Sequence, residues 1–322
     1  MQRQFVVLLP VVAIIGAWLF LQKYEIGGLN GLSVKERGTV AQAVKGVVPV
    51  RPGNTIRIGS FNIQVFGEQK LSDPKVADTL AKIIRKFDVV AVQEIRAKNP
   101  DFLMQFVRLV NTGGAQYDYV LGPRLGRSDS KEQYAFLFDM SRLEIDRSSV
   151  YTVSDPDDLL HREPLVAGFR ARGAPPNEAF TFTLVNVHTD PDETDGELNA
   201  LDDVFRAVRN DGRGEDDVVM LGDFNVDEAH LGQLGLVQNI SYVVSGVPTN
   251  TRADHTYDNV LFDRLATSEY LGMAGVLDVM REFNLTQEQA LKVSDHLPIW
   301  AEFSVYEGGR PSGMAALPAA PR

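Results

Sequence analysis

The chain has 322 residues, of which 44% are hydrophobic and 23% charged, an ordinary globular composition with length for one large domain or two. A net charge of −11 excludes any global attraction for nucleic acid, so a polyanionic substrate would have to be met by local basic side chains or a bound cation. The absence of cysteine excludes a disulfide framework, a thiolate metal site and a thiol nucleophile.

Phe5 to Leu21 carries no charge in 17 residues and is flanked by Arg3 and Lys23. That is the short end of the roughly 17–25 apolar residues that span a bilayer. The following Gln22-Lys23-Tyr24-Glu25 is a poor cleavage site, and the one Ala-x-Ala, Ala41-Gln42-Ala43, lies too far downstream. The segment (residues 1–23) reads as an uncleaved membrane anchor, with a cleaved signal peptide as the alternative. A short N-terminal head before a long domain favours a catalytic part held outside the cytoplasm, or secreted if cleavage occurs. Residues 24–54, Gly-rich and without an apolar period, read as a tether.

Thr55 to Ile63 alternates and is β-branched, a strand ending at Asn62, followed by a turn at Gly67. Asp73 to Lys86 reads as a helix behind a Ser72/Asp73 cap and Pro74. Asp88 to Gln93 is a buried strand with Glu94 at its end, and Phe102 to Val110 a second helix. Strands follow at Tyr117 to Leu121, Tyr134 to Phe138, Val150, Pro164 to Phe169 and Phe180 to Val187, the last running into His188. Glu193 to Arg209 is a helix with Leu198, Leu201, Val204, Phe205 and Val208 on one face. Val218 to Leu221 is a short buried strand. Gly222 frees the backbone to turn or to sit close to something. Asp223 and Asn225 then share a side if the chain stays extended, while an Asx turn is the plainer alternative. Tyr257 to Phe262 is a strand. Gly275 to Phe283 and Thr286 to Leu291 look helical. Ser294-Asp295-His296 precedes a last strand, Pro298 to Val305, and residues 306–322 read as a disordered tail. Strands and helices mix without strict βαβ alternation, which predicts an α/β (α+β) body of two packed sheets with outer helices over residues 55–305.

Several strands end in the same kinds of residue: Asn62, Glu94, His188, Asp223 with Asn225, and Asp295 with His296. Each alone is most simply a cap or a solvated turn. Together they are the parts of a metal-assisted phosphoester hydrolase. Glu94, Asp223 and Asp295 would repel one another in one cleft unless a cation sat among them. Oxygen ligation without Cys points to Mg²⁺, with Mn²⁺ or Ca²⁺ as alternatives. Two imidazoles can handle the protons of attack and departure.

The blocks IRIGSFNIQVFGEQK, VVAVQEIR, KEQYAFLF, REPLVAGF, NVHTDPDE, VVMLGDFN, TYDNVLF and SDHLPIW, spread from Arg57 to Phe303, resemble the endonuclease/exonuclease/phosphatase superfamily, and within it the deoxyribonuclease I branch. The resemblance implies a four-layer α/β sandwich, with two central, mostly antiparallel sheets flanked by helices and the site at one edge. It implies that Asn62 and Glu94 bind metal and scissile phosphate, that His188 and His296 are the acid–base pair oriented by Glu132 and Asp258, that Asp223 and Asn225 hold metal and phosphate, and that Asp295 completes the metal pocket. Arg96 and Arg162 match arginines that contact DNA. Two positions depart from the branch: Gln64 stands where it has Arg, and Ser130 where it has Tyr. The acidic run Asp190 to Asp203 reads as a solvated helix face, with Ca²⁺ binding as the alternative. The expected substrate is DNA. A phospholipid or small phosphate ester is the second reading, and a non-catalytic binding module the third, disfavoured because every matched catalytic position holds a competent residue. No protein partner is inferred.

Overall fold

The protein is described by a computed structural model covering residues 24–27, 33–36, 43–50, 53–127 and 131–309. The apolar segment Phe5 to Leu21, Ser130 and the tail beyond residue 309 lie outside the described residues. Among the described residues, no helix is long and apolar enough to cross a membrane. The chain divides into a unit ending at Thr39 and a unit beginning at Val40. In the first, β1 (Tyr24–Gly27) and β2 (Ser33–Glu36) pair antiparallel.

The second unit is organised by strands that serve two cores at once. β11 (Val218–Asp223) reads as an unbroken apolar run because both its faces are covered. Val219 and Leu221 join the main core, while Val218 and Met220 pack beneath α4 (Thr194–Arg209) with its Leu198, Leu201, Val204, Phe205 and Val208. β11 lies in a six-stranded sheet in the order β12 (Ile240–Tyr242), β13 (Asp258–Asp263), β11, β10 (Thr181–His188), β9 (Leu165–Ala171) and β8 (Leu143–Thr152). The facing sheet has seven strands: β3 (Val44–Gly46), β14 (Tyr270–Leu277), β15 (Ile299–Ser304), β4 (Thr55–Phe66), β5 (Val89–Ile95), β7 (Gln133–Asp139) and β6 (Tyr117–Leu121). Among the described strands, β10–β11, β4–β5 and β3–β14 pair parallel and the rest antiparallel. α1 (Glu68–Ser72), α2 (Pro74–Ile84) and α3 (Phe102–Val110) lie beside the seven-stranded sheet, and Phe66 at the end of β4 meets Phe102 and Phe106 edge-on at 4.9 and 5.0 Å. The architecture is the four-layer sandwich that the sequence predicts.

Three local readings change. Gly275 to Leu277 is not helical but the end of β14, and only Val279–Phe283 (α5) is helix. The reason is pairing: Gly275 lies opposite Trp300 of β15, so close that a Cβ there would stand 2.8 Å from the indole. Asp278 then starts α5 by accepting from Arg281 N. α6 (Gln287–Val293) begins where expected, with a Thr286/Gln289 capping box. Within the segment read as a tether, Val44–Gly46 closes one edge of the larger sheet through backbone pairing with Gly275–Leu277. That pairing leaves Val44 exposed and so needs no apolar period. The chain also stays built past Val305, through a Tyr306–Ala179 bridge and a turn at Glu307–Gly309.

The topology gathers one edge. β4, β5, β10 and β11 end there, while their antiparallel neighbours β7, β13 and β15 begin there. Asn62, Glu94, Glu132, His188, Asp223, Asp258, Asp295 and His296 are therefore brought to the same rim from positions 234 residues apart at the extremes (from 62 to 296). Behind the rim, the buried Asn186 spans the sheets. Its Nδ2 donates to Val92 O and Ala135 O at 3.2 and 3.1 Å, and its Oδ1 accepts from Gln93 Nε2 at 2.7 Å.

Candidate active site

A row of register partners forms the floor: His188 lies opposite Asp223, and Asp223 opposite Asp258, across β10, β11 and β13. The row depends on Gly222, whose φ is +153° and where a Cβ would stand 1.9 Å from Val187 O. No other residue fits that approach of β11 to β10. Phe224 turns inward and is fully buried, and Asn225 takes a left-handed φ of 53°. Asp223 Oδ1 accepts from Asn225 N at 3.0 Å, so the Asx turn is real and coexists with a site.

Each histidine has its own buried acid. His188 Nδ1 lies 2.7 Å from Glu132 Oε1, and His296 Nδ1 lies 2.9 Å from Asp258 Oδ2. Both Nε2 atoms turn toward one oxygen: Asp223 Oδ2 is 3.6 Å from that of His188 and 3.5 Å from that of His296. The two working nitrogens therefore lie within about 7 Å of each other, the sum of those distances. Burial by itself would lower His188, but the Glu132 charge and hydrogen bond, with Asp223, outweigh it and raise the imidazole above its ordinary value. For His296, burial is again the largest effect and is overturned by Asp258, Asp223 and Asp295, which raise the ring to about 10. Burial also pushes the Asp258 carboxyl up, against His296 and a Thr249 hydroxyl donating at 2.7 Å. We place the shared proton on His296, because Asp223 and Asp295 face that ring as well. Glu132 is held below its usual range: burial would raise it, and His188, Arg162 and Arg96 prevail.

The opposite wall comes from β4 and β5, whose ladder breaks between Asn62 and Phe66. The bulge puts both Val65 and Glu94 in left-handed backbone, φ 50° and 61°, and Val65 N then holds Glu94 Oε2 at 2.8 Å. Such conformations in a β-branched residue and a glutamate are costly, and persist where surroundings over-determine them. Asn62 Nδ2 donates to Glu94 Oε1 at 3.2 Å and to Asp223 Oδ2 at 2.9 Å, joining the two walls. Gln64 Nε2 reaches Asp295 Oδ2 at 2.8 Å. Asn62 Oδ1 and Asp295 Oδ1 are buried and have no hydrogen-bond partner. Buried oxygen acceptors left this way, beside the Glu94 and Asp223 carboxylates, suit a hard cation.

Not every expected residue faces outward. Arg162 is 9% exposed, with Nε on Glu132 Oε1 at 3.0 Å, so it braces the His188 acid from behind. Arg96 lies 3.0 Å from Glu94 and 3.6 Å from Glu132 and keeps part of its surface in solvent. Asn225 Nδ2 gives one bond to Thr189 O at 2.8 Å. Of the acidic run, Glu197 is buried, its carboxylate accepting from His161 N and Asp190 N, and is no part of a solvated face.

Two residues of the site carry no sequence signal. Thr249 fixes Asp258 from a loop nine residues upstream. Lys70 donates to Gln64 O and to Val293 O, clamping the bulge. Burial lowers Lys70 to about 8 against the pull of Asp295 and Glu94. Beside the histidines, an open, polar cleft of about 400 Å³ is lined by Asn225, Asp227, His230, Asp254, His255 and Tyr257. A further hollow of about 500 Å³ lies between α2 and α6 and is lined by none of the paired histidines and carboxylates.

A two-sheet sandwich with paired imidazoles and carboxylates at its rim is the architecture of a phosphoester-cleaving class. Residues 59–296 match the Endonuclease/Exonuclease/phosphatase family, to which the chain belongs. It is 34% identical over 260 residues to deoxyribonuclease-1-like 1 of Sus scrofa, covering 77% of this chain and 81% of that one. It is 33% identical over 273 residues to deoxyribonuclease-1-like 2 of Homo sapiens, covering 76% and 90%. The human Nocturnin catalytic domain shares the fold, with a TM-score of 0.54 at 15% identity, covering 79% of this chain and 96% of that one.

Proposed function

We propose that the chain is a metal-assisted phosphodiester hydrolase that cleaves DNA as an endonuclease. The observation that carries this is the pair of carboxylate-backed imidazoles whose Nε2 atoms converge on Asp223 Oδ2. With each Nδ1 held by an acid, Nε2 is the atom that works. One imidazole takes a proton from the attacking water and the other gives one to the leaving oxygen. Glu132 and Asp258 fix the tautomers and stabilise the imidazolium that forms. Asn62, Glu94, Asp223 and Asp295 would hold Mg²⁺, or Mn²⁺ or Ca²⁺ in its place. An ion held by these residues would polarise the phosphate and offset its charge. Asn225 and the Arg96 guanidinium would meet phosphate oxygens, and Arg162 would support Arg96 through their shared Glu132.

The open polar cleft and the deoxyribonuclease-like relatives favour an extended polyanion over a lipid. The apolar Phe5 to Leu21 favours a phospholipid substrate, which is the second reading. The same segment supports membrane attachment with the catalytic body outside the cytoplasm, or secretion after cleavage; finding full-length protein in the soluble fraction would remove the anchor. Plasmid DNA and phospholipid vesicles, each incubated with the chain in Mg²⁺ and in EDTA, decide the substrate. We expect nicking of plasmid in Mg²⁺ and none in EDTA. Hydrolysed phospholipid beside intact plasmid would move the assignment to the second reading, and nicking undiminished in EDTA would remove the metal.

A further inference from the structure

A second carboxylate cluster lies at the other end of β11, on the order of 20 Å from Asp223 at about 3.3 Å per residue. Asp217, Glu269 and Glu307 each offer a carboxylate oxygen, and the three atoms lie within 4.8 Å of one another. Asp217 and Glu269 are 2% and 1% exposed, whereas Glu307 is open to solvent. The acids come from three places: the residue before β11, the residue before β14 and the turn after β15.

Some of their oxygens are satisfied. Glu269 Oε1 accepts from Gly308 N at 2.6 Å and from Ser268 Oγ at 3.4 Å, and Glu307 Oε2 accepts from Thr181 N at 3.2 Å. Others are not. Asp217 Oδ1 and Glu269 Oε2 are buried without any hydrogen-bond partner. The Thr267 hydroxyl is turned toward Asp217, and a proton on Asp217, the alternative to a cation, would bond it to Glu269 or Glu307. The charged groups acting most strongly on Asp217 are Glu269, Glu215 and Glu307, all acidic. Burial first, and this repulsion second, push its carboxyl up to about 9. Two near-fully buried carboxylates with unpaired oxygens turned toward a third are expensive unless a proton or a cation lies among them.

We propose that Asp217, Glu269 and Glu307, with the Thr267 hydroxyl, bind a hard divalent cation at a structural site separate from the catalytic rim. Oxygens within 4.8 Å of one another can share one ion at the 2.3–2.6 Å bond lengths typical of Ca²⁺. The donors are all oxygen, with no imidazole or thiolate, which disfavours zinc. Their irregular spacing suits Ca²⁺ over Mg²⁺, which demands a near-octahedral shell. Glu307 provides the way in. Bound there, the ion would tie β11 of one sheet to β14 and the segment after β15 of the other.

The test is calcium binding by equilibrium dialysis, with melting, on the full chain in detergent and on its Asp217→Asn and Glu307→Gln variants. Glu307→Gln leaves the buried pair intact and covers the case in which Asp217→Asn fails to fold. Each variant should bind one Ca²⁺ fewer than the unaltered chain. At calcium a hundredfold above its Kd, the unaltered chain should gain roughly 5 °C more in Tm than either variant. MgCl₂ should not reproduce that difference. Equal stoichiometry and equal Tm gains in all three proteins would overturn the proposal, as would an unaltered chain whose only calcium is lost with Glu94→Gln.

Discussion

β11 carries an acid at each end, Asp223 beside the histidines and Asp217 at its start, and the two sit in opposite electrical company. Around Asp223, Asn62 donates a hydrogen bond and two imidazoles raised by their neighbours face the carboxylate. Around Asp217 the strongest charged neighbours are acids, and the one donor turned toward it is the Thr267 hydroxyl. One strand thus shows two settings for a buried carboxylate: facing imidazoles and an amide that can also do chemistry, beside the acids of the metal pocket, or packed against acids alone, which leaves the charge to a proton or an ion. The same substitution at both ends should therefore give opposite results.

The largest effect is expected where protons move. His296→Ala and His188→Ala should each lower the turnover of the folded protein by about 10²–10⁴-fold, and the double variant should lose far less than the product, because the pair acts as a unit. Normal turnover in His296→Ala would end the assignment. Asp223→Asn should lower turnover with the fold intact, whereas Asp217→Asn should leave turnover unchanged and, in chelator, melt no lower than the unaltered chain. Loss of turnover in both would show that the two ends are not independent. Next is Gly222→Ala, which forces a Cβ against Val187 O. It should cost more than the roughly 1–3 kcal/mol of ordinary overpacking, read by chemical denaturation, and should reduce turnover by misplacing Asp223.

Arg162→Ala should destabilise by about 3 kcal/mol or less, near the lower end for a broken buried ion pair, because Arg96 still faces Glu132. Its pH profile should move as well, since Glu132 would hold His188 differently; a Tm loss with an unmoved profile would leave Arg162 a packing residue only. The smallest effect concerns pH. In chelator, His296 is raised from 6.5 to about 10. A raised imidazole contributes stability that is full below 6.5 and is lost as pH climbs through 10. Tm should fall over that window, and fall less steeply in His296→Asn. Parallel slopes in the two proteins would refute the assignment of the proton to that ring.

How much of this could be read beforehand depends on what holds each piece. The strand ends were legible because Asn62, His188, Asp223 and His296 stand at fixed offsets from apolar runs that are buried whatever their partners. Their acids were legible only through resemblance, since nothing near Glu132 or Asp258 in the chain announces a histidine 56 or 38 residues away. Gly275 to Leu277 misled because a short apolar run has no period of its own, and its state was fixed by Trp300 across the sheet. Val44–Gly46 and Ile240–Tyr242 are three-residue edge strands whose only credential is a neighbour's backbone. Lys70 and Thr249 act on backbone and carboxylate from loops and short helices, where polar residues are commonplace. Glu197 sits inside an acidic run, and only the fold distinguishes it from its solvated neighbours.

The register row across β10, β11 and β13 carries a consequence for how the protein reaches activity. A slip of one residue in any of the three strands would send His188, Asp223 or Asp258 to the opposite face of the sheet. The β10–β11 pairing is parallel and spans α4, a non-local contact of the kind that forms late. During refolding from denaturant, helical signal should therefore return before turnover does. A chain that is compact and helical yet misregistered would be inert, so the recovery of turnover times the closing of that pairing.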